Sequence, residues 1–144
     1  MSLQALLATL IIDVQEGRKV QTFDVPGTYL HAEIPKDEKV YMKFEGDFAE
    51  IMCEVKRDYK KLVTIERGKR VLYVRVLKAI YGMIESALRW YELFSSTLTD
   101  MGFMINPYDK CTANKIINGS QCTVCWYVDD NKVSHVDENV IDMV

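Results

Sequence analysis

The chain lacks several features that would assign it to common classes. No run approaches the roughly 18 uninterrupted apolar residues needed to span a bilayer. Its first residues show no basic start followed by an apolar stretch and a small-residue cleavage site. No membrane partner is therefore expected, and the setting is read as intracellular. A Gly-x-x-x-x-Gly-Lys loop is absent, which removes a Walker-type phosphate cradle. There are only two histidines, His31 and His135, and neither stands in a recognisable arrangement with a serine or cysteine nucleophile, so a hydrolase triad is not supported. The four cysteines, Cys53, Cys111, Cys122 and Cys125, occur without a secretory context and are expected as reduced thiols. Cys122 and Cys125 have the spacing of a zinc half-site, but residues three apart in a strand point to opposite faces and do not converge on one ion. Neither internal repeats nor low-complexity tracts occur.

What is present suits one domain. The 144 residues, about half of them apolar, can build a single core and divide poorly into two. The net charge of -3 argues against an anionic partner, but its distribution qualifies that. Between Lys56 and Lys78, nine basic residues face two acids, a local +7 that leaves -10 for the rest. Segregation of this kind suits a chain that grips a phosphate backbone in one place, here through Lys56, Arg57, Lys60, Lys61, Lys69 and Arg70, and concentrates carboxylates elsewhere. The plainer reading is a solvated, charged hairpin.

Leu3, Leu6, Leu7, Leu10, Ile11 and Val14 recur at three- and four-residue intervals, which predicts a helix over 3–16 with an apolar face, stopped by Gly17. Lys19 to Asp24 reads as a strand presenting Asp24 at its end, broken by Pro26-Gly27. Val40-Tyr41-Met42 and Ile51-Met52-Cys53 are short apolar runs separated by Gly46, and Val55 to Leu77 reads as a charged hairpin turning near Arg67-Gly68-Lys69. A second helix begins near Ile80 or Met83 and runs through Tyr91, Phe94, Leu98 and Met101 to Gly102, its stripe reading as core. Asn118-Gly119 joins two strands, and a second hairpin places Asp129-Asp130 at or beside its tip.

Adjacent aspartates at a hairpin tip repel, and in isolation such a pair is ordinarily only a turn. A divalent cation removes the repulsion. Mg2+ prefers oxygen ligands and is commonly held by one or two carboxylates together with phosphates and waters. Asp24, at the end of another strand, supplies a third carboxylate, and such a cluster suits two ions about 3.5–4 Å apart acting on an in-line phosphoryl transfer.

The box Tyr127-Val128-Asp129-Asp130 resembles the Tyr-x-Asp-Asp signature of reverse transcriptases, in the Tyr-Val-Asp-Asp form that copia-type retrotransposons favour. Further blocks accompany it in order. Phe23-Asp24-Val25-Pro26-Gly27-Thr28-Tyr29-Leu30-His31-Ala32-Glu33 resembles the family's Asp-Val-x-x-Ala-Phe-Leu-x-Gly segment, followed by Val40-Tyr41-Met42. Leu77-Lys78-Ala79-Ile80-Tyr81-Gly82-Met83, continuing to Arg89-Trp90-Tyr91, resembles the Leu-Tyr-Gly-Leu-Lys-Gln-Ala-Pro-Arg-x-Trp-Tyr block, and Met101-Gly102-Phe103 with Asp109 completes a set covering about residues 20–135. The chain departs from the pattern at Ile84-Glu85-Ser86-Ala87-Leu88-Arg89, which lacks the proline, and at Thr28-Tyr29, where the family has Ala-Phe.

The resemblance implies an α+β fold, a polymerase palm-like antiparallel sheet backed by the two helices, with partial fingers and no thumb, so that 1–144 is one partial reverse transcriptase domain. It implies RNA-directed DNA polymerase activity, the transfer of dNTPs to a primer 3′-hydroxyl on an RNA or DNA template. Two Mg2+ ions, replaceable by Mn2+, would be held by Asp24, Asp129 and Asp130 with Val25, Asp24 and Asp129 being the principal ligands and Asp130 supporting them. Tyr29 would sit under the sugar of the incoming nucleotide and exclude a 2′-hydroxyl, with Val25, Gly82, Arg89 and Tyr127 completing the nucleotide-binding set. The remaining partners implied are the fingers, thumb and RNase H of a pol polyprotein, in a cytoplasmic particle or the nucleus. A chain this short is expected to be weak or inactive alone. The alternative is a non-catalytic retroelement remnant that folds as a palm-like nucleic-acid-binding module.

Overall fold

The computed structural model describes residues 1–144. In chain order the elements are α1 (Leu3–Glu16), β1 (Lys19–Asp24), β2 (Tyr41–Glu45), α2 (Asp47–Val55), β3 (Thr64–Glu66), β4 (Lys69–Arg75), α3 (Ser86–Asp100), β5 (Met104–Ile105), β6 (Thr112–Ile117), β7 (Ser120–Tyr127), β8 (Asp130–His135) and α4 (Glu138–Ile141), with 3-10 turns at Thr28–His31 and Arg57–Leu62. The chain is α+β with two antiparallel sheets, and it divides into two compact units. One comprises Met1–Ala32 and Ile80–Val144, the other Glu33–Ala79.

The first unit is built on a five-stranded sheet in the order β1-β8-β7-β6-β5. The β6–β7 hairpin turns through Asn118 and Gly119, with φ of 51° and 80°. Two consecutive left-handed residues make the turn whose twist suits a two-residue hairpin, and Asn-Gly tolerates it best. Because side chains alternate along a strand, Cys122, Val124 and Trp126 lie on one face of β7 and Thr123 and Cys125 on the other. The first face is the core. There Trp126 meets Phe94 of α3 edge-on at 5.2 Å and Tyr91 at 6.4 Å between ring centroids. Leu98, Phe103, Val133, Val140 and Ile141 close the cluster. The stripe of α3 is therefore core, as its periodicity predicts, except that Met101 is exposed. The helix begins later than expected, at Ser86. Tyr81 to Glu85 turn instead, and the Ser86 hydroxyl donates to the Ile80 carbonyl at 2.6 Å.

Helix α1 has the predicted boundaries. The Ser2 hydroxyl accepts the Ala5 N–H at 3.1 Å, and Gly17, at φ 63°, ends it. The Arg18 and Gly17 N–H groups donate to the Asp13 and Val14 carbonyls, a Schellman closure that needs a left-handed residue. Its orientation corrects the sequence reading twice. The expected apolar face is largely in solvent, with Leu3 68% and Val14 83% exposed, while Thr9 and Asp13 are buried. Nor do both helices back the sheet from one side: α1 lies on the Thr123/Cys125 face, opposite α3. There the Lys132 ammonium pairs with Asp13 at 2.5 Å and donates to Thr9 Oγ1 at 3.3 Å. Arg18, buried, reaches Thr123 Oγ1 at 3.0 Å. The physical reason is that this sheet face carries a lysine. A buried ammonium is tolerated only with a counterion and hydrogen bonds, so Thr9 and Asp13 turn inward, Leu7, Ile11 and Val14 face solvent, and Leu3, Leu6 and Leu10 line an open cleft beside the sheet.

The second unit has a three-stranded sheet in the order β2-β4-β3. Val71 and Leu72, adjacent on central β4 and so on opposite faces, are both buried, with Ala49 and Cys53 of α2 also in the core. The hairpin turns at Arg67 and Gly68, φ 48° and 75°, where the sequence places it. The Ile51-Met52-Cys53 run is helical. The Arg75 guanidinium donates to the Lys36 and Glu38 carbonyls at 2.8 and 3.1 Å, and the Ile34 N–H donates to the Leu77 carbonyl at 2.9 Å. No helix in the chain is long and apolar enough to cross a membrane.

Candidate active site

Strand β1 pairs with β8 along its whole length, and the register sets Asp24 directly opposite Asp130. Asp130 is in turn opposite Tyr127 on β7. Residues opposite each other in an antiparallel pair project to the same face, so Asp24, Asp130 and Tyr127 form one rung across three strands. Like charges directly opposite each other destabilise a sheet, yet none of the three carboxylates, Asp24, Asp129 or Asp130, forms an ion pair or a side-chain hydrogen bond.

Asp129 sits in the two-residue turn between Tyr127 and Asp130. The preceding residue, Val128, has φ 58°. A β-branched side chain in the left-handed region is an outlier, costing of order 1–3 kcal/mol and persisting only where surrounding contacts dictate it. Those contacts are present. The Val25 N–H donates to the Asp129 carbonyl at 3.2 Å. The Asn131 amide, buried under the rung, donates to the same carbonyl at 2.6 Å and to the Phe23 carbonyl at 3.3 Å. The indole N–H of Trp90 donates to the Val128 carbonyl at 2.7 Å. The turn is thus held by β1, β8 and α3 at once.

The rung opens into a cleft of about 830 Å³, whose facing wall is α1 with Leu3, Leu6 and Leu10. The volume is that of an ordinary small-molecule site. Lys132 is the only cationic side chain lining it, and that charge is committed to Asp13.

The sequence-predicted residues fall out unevenly. Asp24 and Asp130 are brought together on the rung, and Asp129 is linked to Val25 through backbone. The Val25 carbonyl already accepts the Thr28 hydroxyl at 2.6 Å. No three Asp, Glu, His or Cys side chains gather as a metal-binding group, so the acidic residues offer a pair on one face with a third carboxylate on the turn. Two carboxylates fit a Mg2+ ion completed by phosphate and water. Tyr29, in the 3-10 turn after β1, lies against Tyr81 with ring centroids 4.6 Å apart. Gly82 has φ 92°, and nothing lies within 4 Å of where a Cβ would stand, so its backbone is strained toward glycine and its flank is open. Arg89 is largely buried and paired with Glu85 at 2.7 Å.

In the second unit Lys56, Arg57, Lys60, Lys61, Lys69 and Arg70 are all exposed. Arg70 pairs with Glu50 at 3.1 Å and Lys61 with Asp58 at 3.4 Å. The Lys56 ammonium lies 5.1 Å from the Tyr59 ring centroid. Nearby, Lys43 bridges Glu45 and Glu66 at 2.6 and 2.9 Å. Hydrogen bonding from Lys43 holds both carboxyls below their usual range and raises the ammonium in return.

Sequence reasoning missed Trp90, Asn131 and Tyr81 as site residues. Trp90 and Tyr81 lie inside the blocks that carry the family resemblance, but a sequence shows their place and not their bonds. Asn131 read as a turn residue, and nothing in the sequence distinguishes it. No protein-family model, curated protein or solved structure matches the chain.

Proposed function

We propose that the first unit is the palm of a copia-type reverse transcriptase, a fragment that adds dNTPs to a primer 3′-hydroxyl. The observation that carries the reading is the unpaired Asp24–Asp130 rung beside the strained Val128-Asp129 turn. Three carboxylates at one sheet end, two of them facing each other without a counterion, form an arrangement that a divalent cation stabilises. The ordered sequence blocks support the same reading, since Asp24, Asp129 and Asp130 are the residues the family resemblance selects.

In this reading Asp24, Asp130 and Asp129 hold Mg2+, with the Val25 carbonyl beside them. When bound, the ion supplies the charge that activates the primer hydroxyl and stabilises the leaving pyrophosphate. The residues of the chain do the positioning. Tyr29, braced by Tyr81, offers a ring edge that rejects a ribose 2′-hydroxyl, and the open flank of Gly82 admits the nucleotide. Because Lys132, the one cationic side chain lining the cleft, is committed to Asp13, phosphate binding depends on the carboxylate-held ion. Catalysis of this kind is electrostatic and positional, with little covalent work for the protein. The exposed basic residues from Lys56 to Arg70 suit a phosphate backbone, with template and primer as partners and the rest of a pol polyprotein completing the enzyme.

Mn2+ titration followed by NMR tests the reading. Paramagnetic broadening is expected at the Asp24, Asp129 and Asp130 amides, lost in Asp129→Asn and Asp24→Asn, with Mg2+ competing. Broadening that is absent, or indifferent to both substitutions, overturns it. A non-catalytic palm-like module that binds nucleic acid through Lys56, Arg57 and Lys60 is the second reading, favoured by the lack of a gathered three-residue metal group. Nucleic-acid binding without cation binding selects it.

A further inference from the structure

Trp90 is a tryptophan near the start of an amphipathic helix, and its ring would be ordinary packing but for where its polar atom points. The residue is 5% exposed. Its ring lies 5.2 Å from that of Phe94, which in turn braces Trp126. The His31 ring is 6.2 Å away. The indole is therefore fixed by its neighbours before its N–H is considered. That N–H donates to the carbonyl of Val128 at 2.7 Å, across 38 residues of sequence.

Val128 is the one β-branched residue of the chain with positive φ. A valine there has a more comfortable alternative, the ordinary extended or right-handed region. Reaching either would rotate the Val128–Asp129 peptide and swing its carbonyl away from α3. The Trp90 bond opposes that rotation directly. Val25 and Asn131 act one peptide further on, at the Asp129 carbonyl, and leave the Val128 carbonyl to Trp90 alone.

We propose that Trp90 is a positioning residue for the acidic turn: its indole N–H holds Val128 in the left-handed conformation that sets Asp129 beside the Asp24–Asp130 rung. The purpose of that placement rests on the nucleotidyl-transfer reading above, whereas the coupling of Trp90 to Val128 does not. A side chain that orients ligands without touching the cation behaves as an outer-shell partner, whose loss typically lowers metal affinity by about 10- to 100-fold.

The test is a double-mutant cycle in the full chain. Trp90→Phe keeps an aromatic ring and deletes the donor, and Val128→Gly removes the steric reason the turn needs holding. The readouts are the backbone chemical shifts of Asp129, Asp130 and the residue at position 128, and Mn2+ affinity measured by paramagnetic broadening. Trp90→Phe should shift the turn resonances and weaken Mn2+ by about 10-fold, and in the Val128→Gly background the same change should cost less than about two-fold. Equal effects in both backgrounds mean that Trp90 acts through packing alone, and the proposal fails. Should Trp90→Phe not fold, hydrogen exchange of the native Trp90 indole N–H decides: protection matching that of the β7–β8 amides upholds the bond, and exchange at the rate of free indole refutes it. If the native chain binds no Mn2+, the nucleotidyl-transfer reading falls by itself while the chemical-shift cycle still decides the coupling.

Discussion

Asp13→Ala should be among the most destabilising single substitutions in the chain. The Asp13 and Lys132 side chains are 4% and 8% exposed and meet at 2.5 Å, so removal of the carboxylate leaves an ammonium buried between α1 and β8 with only the Thr9 hydroxyl, at 3.3 Å, to solvate it. Breaking a buried pair from one side costs about 3–5 kcal/mol, whereas replacing both partners by apolar groups of similar volume is often neutral or stabilising. Urea unfolding followed by tryptophan fluorescence should show a midpoint loss matching about 3–5 kcal/mol for Asp13→Ala, and recovery of most of it in Asp13→Leu/Lys132→Met. Lys132 stands two residues from Asp130 on the same sheet face, so the single variant should also loosen α1 over the candidate site and increase hydrogen exchange at its N-terminal half. A cost under about 1 kcal/mol, the range of an exposed surface pair, or a double variant as unstable as the single, would refute the claim that this pair determines which face of α1 turns inward.

Three further outcomes follow from the same geometry. Asp109 is pushed up by desolvation, but hydrogen bonds from the Ser2 backbone N–H, the Ser2 side chain and the Cys111 N–H outweigh this and bring it below its ordinary 3.8. A depressed folded pKa contributes stability that is complete above 3.8 and lost as pH falls through the lower folded value, so acid titration of the native chain should lose stability in that window and Asp109→Asn should flatten it. Burial pushes the Cys122 and Cys125 thiols up, so under native conditions alkylation at neutral pH should be much slower there than at the half-buried Cys111, rising to the denatured rate in urea. Nucleic-acid binding should weaken linearly in log affinity against log salt with a slope of about -0.7 per phosphate contact on single strands, and Lys56→Glu/Arg57→Glu/Lys60→Glu should reduce that slope, while Arg70→Glu, already paired with Glu50, should change it least.

Local structure was largely legible because its signals are local. Gly17 and Gly102 end helices at left-handed residues, Asn118-Gly119 and Arg67-Gly68 turn hairpins, and the Tyr91, Phe94, Leu98 spacing marks a buried stripe. What could not be read was which side of a helix the tertiary structure uses. The leucine spacing of α1 predicts apolar burial, but burial depends on the partner surface, and that surface holds Lys132. The relevant pairing, Asp13 with Lys132, joins residues 119 positions apart, and no periodicity records it. The same holds for Arg89, which looks available in sequence and is committed to Glu85 one helical turn away.

The acidic pair shows most clearly how register converts a motif into a site. A two-residue turn at Val128-Asp129 makes Tyr127 and Asp130 partners, and β1 ends in register so that Asp24 meets Asp130. The second aspartate of the pair is therefore the strand partner of Asp24, while the first lies in the turn, tied to β1 only through its carbonyl and the Val25 N–H. The family resemblance assigns the principal role to Asp24 and Asp129 and a supporting one to Asp130. On geometry alone the closer facing of Asp24 and Asp130 is fixed by sheet hydrogen bonds, whereas the position of Asp129 depends on a strained valine and the bonds that hold it. The two aspartates thus differ in what maintains them: Asp130 is as secure as the sheet, and Asp129 is only as secure as the Trp90, Val25 and Asn131 contacts around its turn.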